Sequence, residues 1–217
     1  MPEWRFGGEL EKVKPKYQEI SISDANNITH EPVDLEEMKN YLKIDYDTDD
    51  DLIESLIMGA RKQVEDELGG IAIIQREFVQ KFTGAMDRIE LLRQPVQSIS
   101  SVIYYEYFES TGQAITSYRR VNHLLYHEDS FWKIGRDADG YIITFIAGLV
   151  ADEGQSHRNV PRGIRAAIER IVAYLYENRE DFATSINEGN FSITYDKNLR
   201  RDINLLLMPY HSGKGIF

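Results

Sequence analysis

Two changes of hydrophobic period, at Gly69–Gly70 and at Val160–Pro161, constrain the fold more than any other feature of the sequence. Before the first, Leu52, Ile53, Leu56, Ile57, Ala60, Val64 and Leu68 recur at the spacing of one helix face. Gly69–Gly70 stops that run, because glycine readily takes the left-handed conformation that ends helices. From Ile71 to about Leu149 the texture becomes short runs rich in Ile, Val, Tyr and Phe, among them "SISSVIYYEYF" and "YIITFI". Turn signals such as "STGQ" and "DADG" divide them, as expected of strands. Past Pro161 the period is helical again, with Ile164, Ile168, Ile171, Val172 and Leu175 on one stripe. The chain therefore reads as α+β, mainly α. A helical bundle carries a small inserted antiparallel β-sheet and an extended C-terminal tail.

Local signals set the boundaries. In "VDLEEMKNYLKI" Asp34 is the N-cap and Glu37 its capping-box partner, while Val33 and Met38 occupy the places of a hydrophobic staple. Leu35, Met38 and Leu42 make the buried stripe of that helix. Helices are expected over residues 33–44, 48–68 and 161–180, with the β insertion at 71–149. Residues 1–30 have no sustained period and read as an arm, 31–182 as one domain, and 183–217 as a tail.

The acid-rich stretch "DYDTDDD", residues 45–51, raises the question of a metal site. Asp45, Asp47 and Asp49 fall at the first, third and fifth places of a calcium loop. Asp50 and Leu56 then stand where the loop needs glycine and a bidentate glutamate, so the cluster reads as a helix start. His123 and His127 share a face at strand spacing but lie too far apart along it for one ion. No serine sits in a Gly-x-Ser-x-Gly elbow, and no phosphate loop is present. The absence of cysteine excludes disulfides, thiolate zinc and a cysteine nucleophile. No catalytic residue, metal ligand or cofactor is expected. A net charge of −11 opposes a grip on duplex phosphates. The acid concentrates in residues 31–70, and the C-terminal third is locally basic. No stretch has the apolar length of a membrane span or the core of a signal peptide, so a soluble, cytoplasmically made chain is expected.

The segments "VDLEEMKNYLKID", "DDDLIESLIMGARKQVEDELGG", "LRQPVQSISSVIYY", "YIITFIAGL", "VPRGIRAAIERIVAYLYENRE" and "LLLMPY" stand in a fixed order. In that order and spacing, over most of residues 31–210, the chain resembles the head–tail connector (adaptor) proteins of long-tailed bacteriophages and gene transfer agents. The resemblance implies a non-enzymatic virion component. It implies a homo-oligomeric ring, commonly of twelve copies, beneath the portal protein in the neck. That ring extends the DNA channel without binding DNA specifically and offers a platform to the next tail component, a stopper or tail terminator. Two other classes remain as alternatives: a metal-dependent enzyme built on His123, His127 and the Asp45–Asp51 cluster, and a nucleic-acid-binding regulatory module using the arginine-bearing helix from Ile164 to Arg179.

The resemblance also implies portal contact through C-terminal segments. Phe191, Ile193 and Tyr195 alternate with polar residues and suit strand addition to a neighbour's sheet. Leu199, Ile203 and Leu207 share one stripe of a short helix that Pro209 ends just before Tyr210; it needs a surface, either the portal or its own bundle. Ile216 and Phe217 follow a glycine-rich stretch and read as anchors for a pocket.

Overall fold

The computed structural model describes residues 18–22, 28–82, 88–106, 111–128, 132, 140–153, 156–179 and 197–211. Phe191, Ile193, Tyr195, Ile216, Phe217 and most of the "DADG" turn lie outside them. Among the described residues are four α-helices: α1 (Leu35–Leu42), α2 (Asp50–Glu67), α3 (Arg162–Glu177) and α4 (Lys197–Leu207). The eight strands are β1 (Gln18–Ile22), β2 (Arg76–Phe82), β3 (Arg88–Glu90), β4 (Val96–Tyr104), β5 (Gln113–Ala114), β6 (Tyr118–Val121), β7 (Leu124–His127) and β8 (Tyr141–Ala147). The chain is α+β, and its contacts divide it into two compact units.

One unit comprises residues 1–23, 77–92 and 98–146 and holds most of the β structure. A single small sheet was the expectation. Two are present among the described residues, with strand orders β1-β2-β8-β4-β5 and β3-β7-β6. The pairs β1–β2, β4–β5, β3–β7 and β6–β7 are antiparallel. The split arises because β3 pairs with β7, far along the chain, and not with its neighbour β2. Along β8, Tyr141, Ile143 and Phe145 are buried and alternate with half-buried residues, the signature of a strand with one face on a core. Tyr141 meets Tyr104 and Trp132 at ring-centroid distances of 4.9 and 5.5 Å, and Phe145 stacks on Phe78 at 5.8 Å.

The other unit comprises residues 24–76, 93–97 and 147–217 and contains all four helices. The start of α1 follows the sequence signals in part. Asp34 Oδ1 accepts the Glu37 N–H at 2.7 Å, and both staple residues, Val33 and Met38, are fully buried. The return half of the capping box is replaced, because the Glu37 carboxylate is held by Arg165 of α3. Gly69 and Gly70 have φ of 72° and 90°, and their N–H groups close on Asp66 and Glu65 carbonyls to end α2.

The core of this unit is a single cluster. Ile53, Leu56, Ile57, Ala60, Val64 and Leu68 of the α2 segment pack with Ile164, Ala167, Ile168, Ile171, Val172 and Leu175 of α3. Leu52, assigned to this stripe by spacing, is instead on the outer face and 38% exposed. It precedes Ile53 by about 100° around the helix, which places it beyond the edge of the buried arc. Ile203 and Leu207 of α4 complete the cluster at 3% and 0% exposure.

Candidate interaction surfaces

The acid cluster is a clamp between helices. Asp47 and Asp50 both accept from Lys39 Nζ, at 2.6 and 2.8 Å, tying the start of α2 to α1. Asp49 faces α3, where it accepts from the Tyr176 hydroxyl and from Arg179 at 3.1 Å. Its carboxylate makes no cap on its own helix, although the cluster does start the helix as expected, with Asp50 and Asp51 in the first turn of α2. The hydrogen bond from Tyr176 holds the Asp49 carboxyl below its ordinary value of 3.8, and the bond from Lys39 does the same for Asp47. Tyr176, donating to that carboxylate, is pushed well above the usual phenol range. A depressed carboxyl contributes stability that is complete above pH 3.8 and lost as the pH falls through its folded value. Removing the donor in Tyr176→Phe is expected to move the Asp49 titration towards 3.8, read by carboxyl NMR. An unmoved titration would mean that the phenol does not hold this group.

The histidines are apart in role as well as position. His123 Nε2 lies 3.8 Å from Glu90, and His127 meets the Trp132 ring edge-on at 5.3 Å. Among the described residues, no group of three or more His, Asp or Glu is placed to hold a metal ion.

The arginines of the α3 segment are engaged one by one with carboxylates. Arg162 holds Glu169 at 2.6 Å, Arg165 holds Glu37, Arg170 holds Asp202 at 2.7 Å and Arg179 holds Asp49. The first pair lies within α3; the others cross to α1, to the start of α2 and to α4, and together they neutralise the row of charge that a nucleic-acid contact needs.

A buried ionic cluster escaped the sequence reading. Glu65, 3% exposed at its side chain, accepts from Arg76 Nη1 and Nη2 at 2.9 and 2.6 Å and from Arg61 at 3.2 Å. It also accepts the Ile73 N–H at 2.9 Å, while Arg61 Nε reaches Glu31 at 2.7 Å. Burial raises the Glu31 carboxyl above its ordinary 4.5, opposed chiefly by Arg61. The available signal was position: Arg61 and Glu65 fall on the same helix face as Ile57, Val64 and Leu68.

Of the proposed portal-binding residues, Ile203 and Leu207 fill the core of their own unit, and Leu199 is half-buried against it. Tyr210 is half-buried, close over Gly163 at the start of α3. The opposite face of α4 has a different character. Leu205 and Met208 are 59% and 56% exposed, and beside them a shallow groove is lined by Lys197, Arg200, Arg201 and His211.

Residues 32–133 match the family model described as Phage gp6-like head-tail connector protein. No curated protein matches the chain. Among solved structures, a chain of "Neck of empty GTA particle computed with C6 symmetry" matches with a TM-score of 0.64 at 14% identity, covering 89% of this chain and 95% of that one. A chain of "Neck of native GTA particle computed with C12 symmetry" matches at TM-score 0.63 and 17% identity, covering 89% and 94%. A chain of "Virion of native gene transfer agent (GTA) particle" matches at 0.61 and 16%, covering 86% and 94%. At these identities the likeness is one of fold, and it extends past the segment matched by the family model. The family-model match spans a little under half of the chain, and over residues 32–133 the chain is similar to phage gp6-like head–tail connector proteins.

Proposed function

We propose that the protein is a structural, non-catalytic component of the virion neck, assembled as a homo-oligomeric ring beneath the portal. The observation that carries this reading is the fold likeness to neck subunits over 89% of the chain, joined to the connector family match. The C6 and C12 symmetries named for those necks favour a ring, with twelve copies as its number. In this reading the four helices act as a bundle that forms the body of each subunit. The ring continues the DNA channel from the portal, and its far side receives the next neck component, a stopper or tail terminator. A net charge of −11 suits a channel that lets DNA pass without holding it.

The C-terminal tail is the portal contact in this reading. Leu199, Ile203 and Leu207 anchor α4 on the bundle and so fix where the tail leaves it. Phe191, Ile193, Tyr195, Ile216 and Phe217 then supply the apolar side chains that meet the portal, with Tyr210 at the boundary. A chain ending at Tyr210 is expected to keep its fold by circular dichroism yet bind portal about tenfold or more weakly, as loss of one or two buried apolar anchors requires. Wild-type affinity in that folded truncation would remove the tail from the contact. Negative-stain images of the protein mixed with its portal test the ring itself, and a stable isolated dimer in place of a ring would count against it.

A further inference from the structure

Helix α3 packs against both α2 and α4, while α2 and α4 make no contact with one another among the described residues. The outer faces of α2 and α4 therefore lie on different flanks of the helical unit. Each face carries large apolar side chains in the open: Leu52 and Met58 on α2, Leu205 on α4 and Met208 in the turn just after it. Their charges are opposite. Around Met58 the exposed charges of α2 are Asp51 and Glu54 on one side and Lys62 on the other, a net acidic set, whereas the groove at α4 is lined by Lys197, Arg200, Arg201 and His211, with Asp202 beside Arg201 its neighbouring carboxylate.

Gly59 adds an independent mark on the α2 face. It lies in the exposed middle of the helix, and a Cβ there would meet nothing within 4 Å. Nothing among the described residues calls for glycine at this place, and glycine disfavours a helix interior. A close-packed neighbour on that face would call for it.

Resting on the ring reading, we infer that the ring contact is heterologous and head-to-tail: the basic, apolar outer face of α4 in one copy seats on the acidic, apolar outer face of α2 in the next. Two complementary faces on separate flanks are what a closed ring requires, whereas one self-complementary face yields a dimer. Exposed Leu205, Met208 and Met58 supply the apolar centre, and the Asp51–Glu54 and Arg200–Arg201 charges supply register around it.

The chain has no cysteine, so introduced thiols are the only ones. The test joins Met58→Cys and Leu205→Cys in one chain and treats it with a short bifunctional maleimide under conditions that give rings with the portal. A ladder of covalent multimers is expected from the double variant, and only monomer from either single variant. Covalent dimers from a single variant would overturn the inference by showing that a face pairs with itself. Monomer from the double variant within visible rings would overturn it by placing the contact elsewhere. Failure to see rings under any condition would sink the ring reading, a separate outcome, and this pairing with it.

Charge reversal gives the second arm. Asp51→Lys with Glu54→Lys, or Arg200→Glu with Arg201→Glu, should each abolish rings while circular dichroism stays unchanged. An equimolar mixture of the two should recover rings of alternating copies, because each wild-type pair of faces is followed by a charge-swapped pair that is also complementary. All four substitutions in one chain should restore rings, and failure to do so in a folded chain would count against the pairing.

Discussion

Glu65→Ala is expected to destabilise the helical unit by about 3–5 kcal/mol, the usual cost of removing one partner from a buried ionic cluster. The substitution leaves Arg76 and Arg61, 4% and 6% exposed at their side chains, without the carboxylate that both share. It also orphans the Ile73 N–H, which otherwise ends on Glu65. In a chain of this size the loss lowers the thermal midpoint by roughly 10 °C. Glu65→Gln retains the shape and one acceptor and should cost less. Replacing Arg61, Glu65 and Arg76 together by Leu or Met separates two explanations. If the single substitution hurts because it strands buried charge, the triple apolar variant should recover much of the stability. If it does not recover, the cluster is needed for more than charge balance. Glu31, left by the triple variant without its Arg61 partner, serves as an internal reporter. Burial already raises its carboxyl above 4.5, so its contribution favours folding below pH 4.5 and is lost as the pH rises through its folded value. Without Arg61, which lowers that value, the loss should move to higher pH, measured as Tm against pH.

What the sequence made legible follows from how local each signal is. The Asp34 cap, the Val33–Met38 staple and the stop at Gly69–Gly70 act within one or two turns, and the structure places all of them as read. The α2 and α3 stripes were legible because each helix buries one face of a shared core. Pairings between distant segments were not. Nothing near residues 88–90 announces that they join 124–126, and so two sheets were read as one. The partners of ionisable groups were equally hidden: within a stretch read as a helix start, nothing showed that Asp49 meets Tyr176 and Arg179, 127 and 130 residues along the chain. Arg61 and Glu65 were passed over as helix charges because apolar counting ignores polar residues on a buried face. The α2 and α4 outer faces were foreshadowed only as an acidic helix pair and a basic C-terminal third. Which side chains carry each charge depended on knowing which face turns inward.

Ending the chain at Asp196 is expected to unfold the helical unit or leave it expanded, in contrast to ending it at Tyr210. The difference between the two truncations is α4, whose Ile203 and Leu207 are buried at 3% and 0% exposure, within the range of the α3 core residues. Single substitutions grade the effect. Ile203→Ala and Leu207→Ala should each cost about 2–5 kcal/mol, the range for aliphatic truncation in a packed core. Leu205→Ala, on the outer face of the same helix, should stay within about 0.5 kcal/mol of wild type as a monomer. Two glycines supply the complementary check. Gly59→Ala meets open space in an exposed helix and should stabilise by about 0.5–1 kcal/mol. Gly163→Ala gains the same helix preference, but its Cβ would lie 2.9 Å from the Leu206 carbonyl oxygen and 2.8 Å from the Tyr210 ring. Backbone must move there, so overpacking of about 1–3 kcal/mol should outweigh the gain. Opposite signs at the two positions, measured by urea unfolding, would establish that α4 is seated on α3 in the folded monomer. A stabilising Gly163→Ala, together with a silent Leu207→Ala, would mean that α4 leaves the bundle in solution and docks only on a partner.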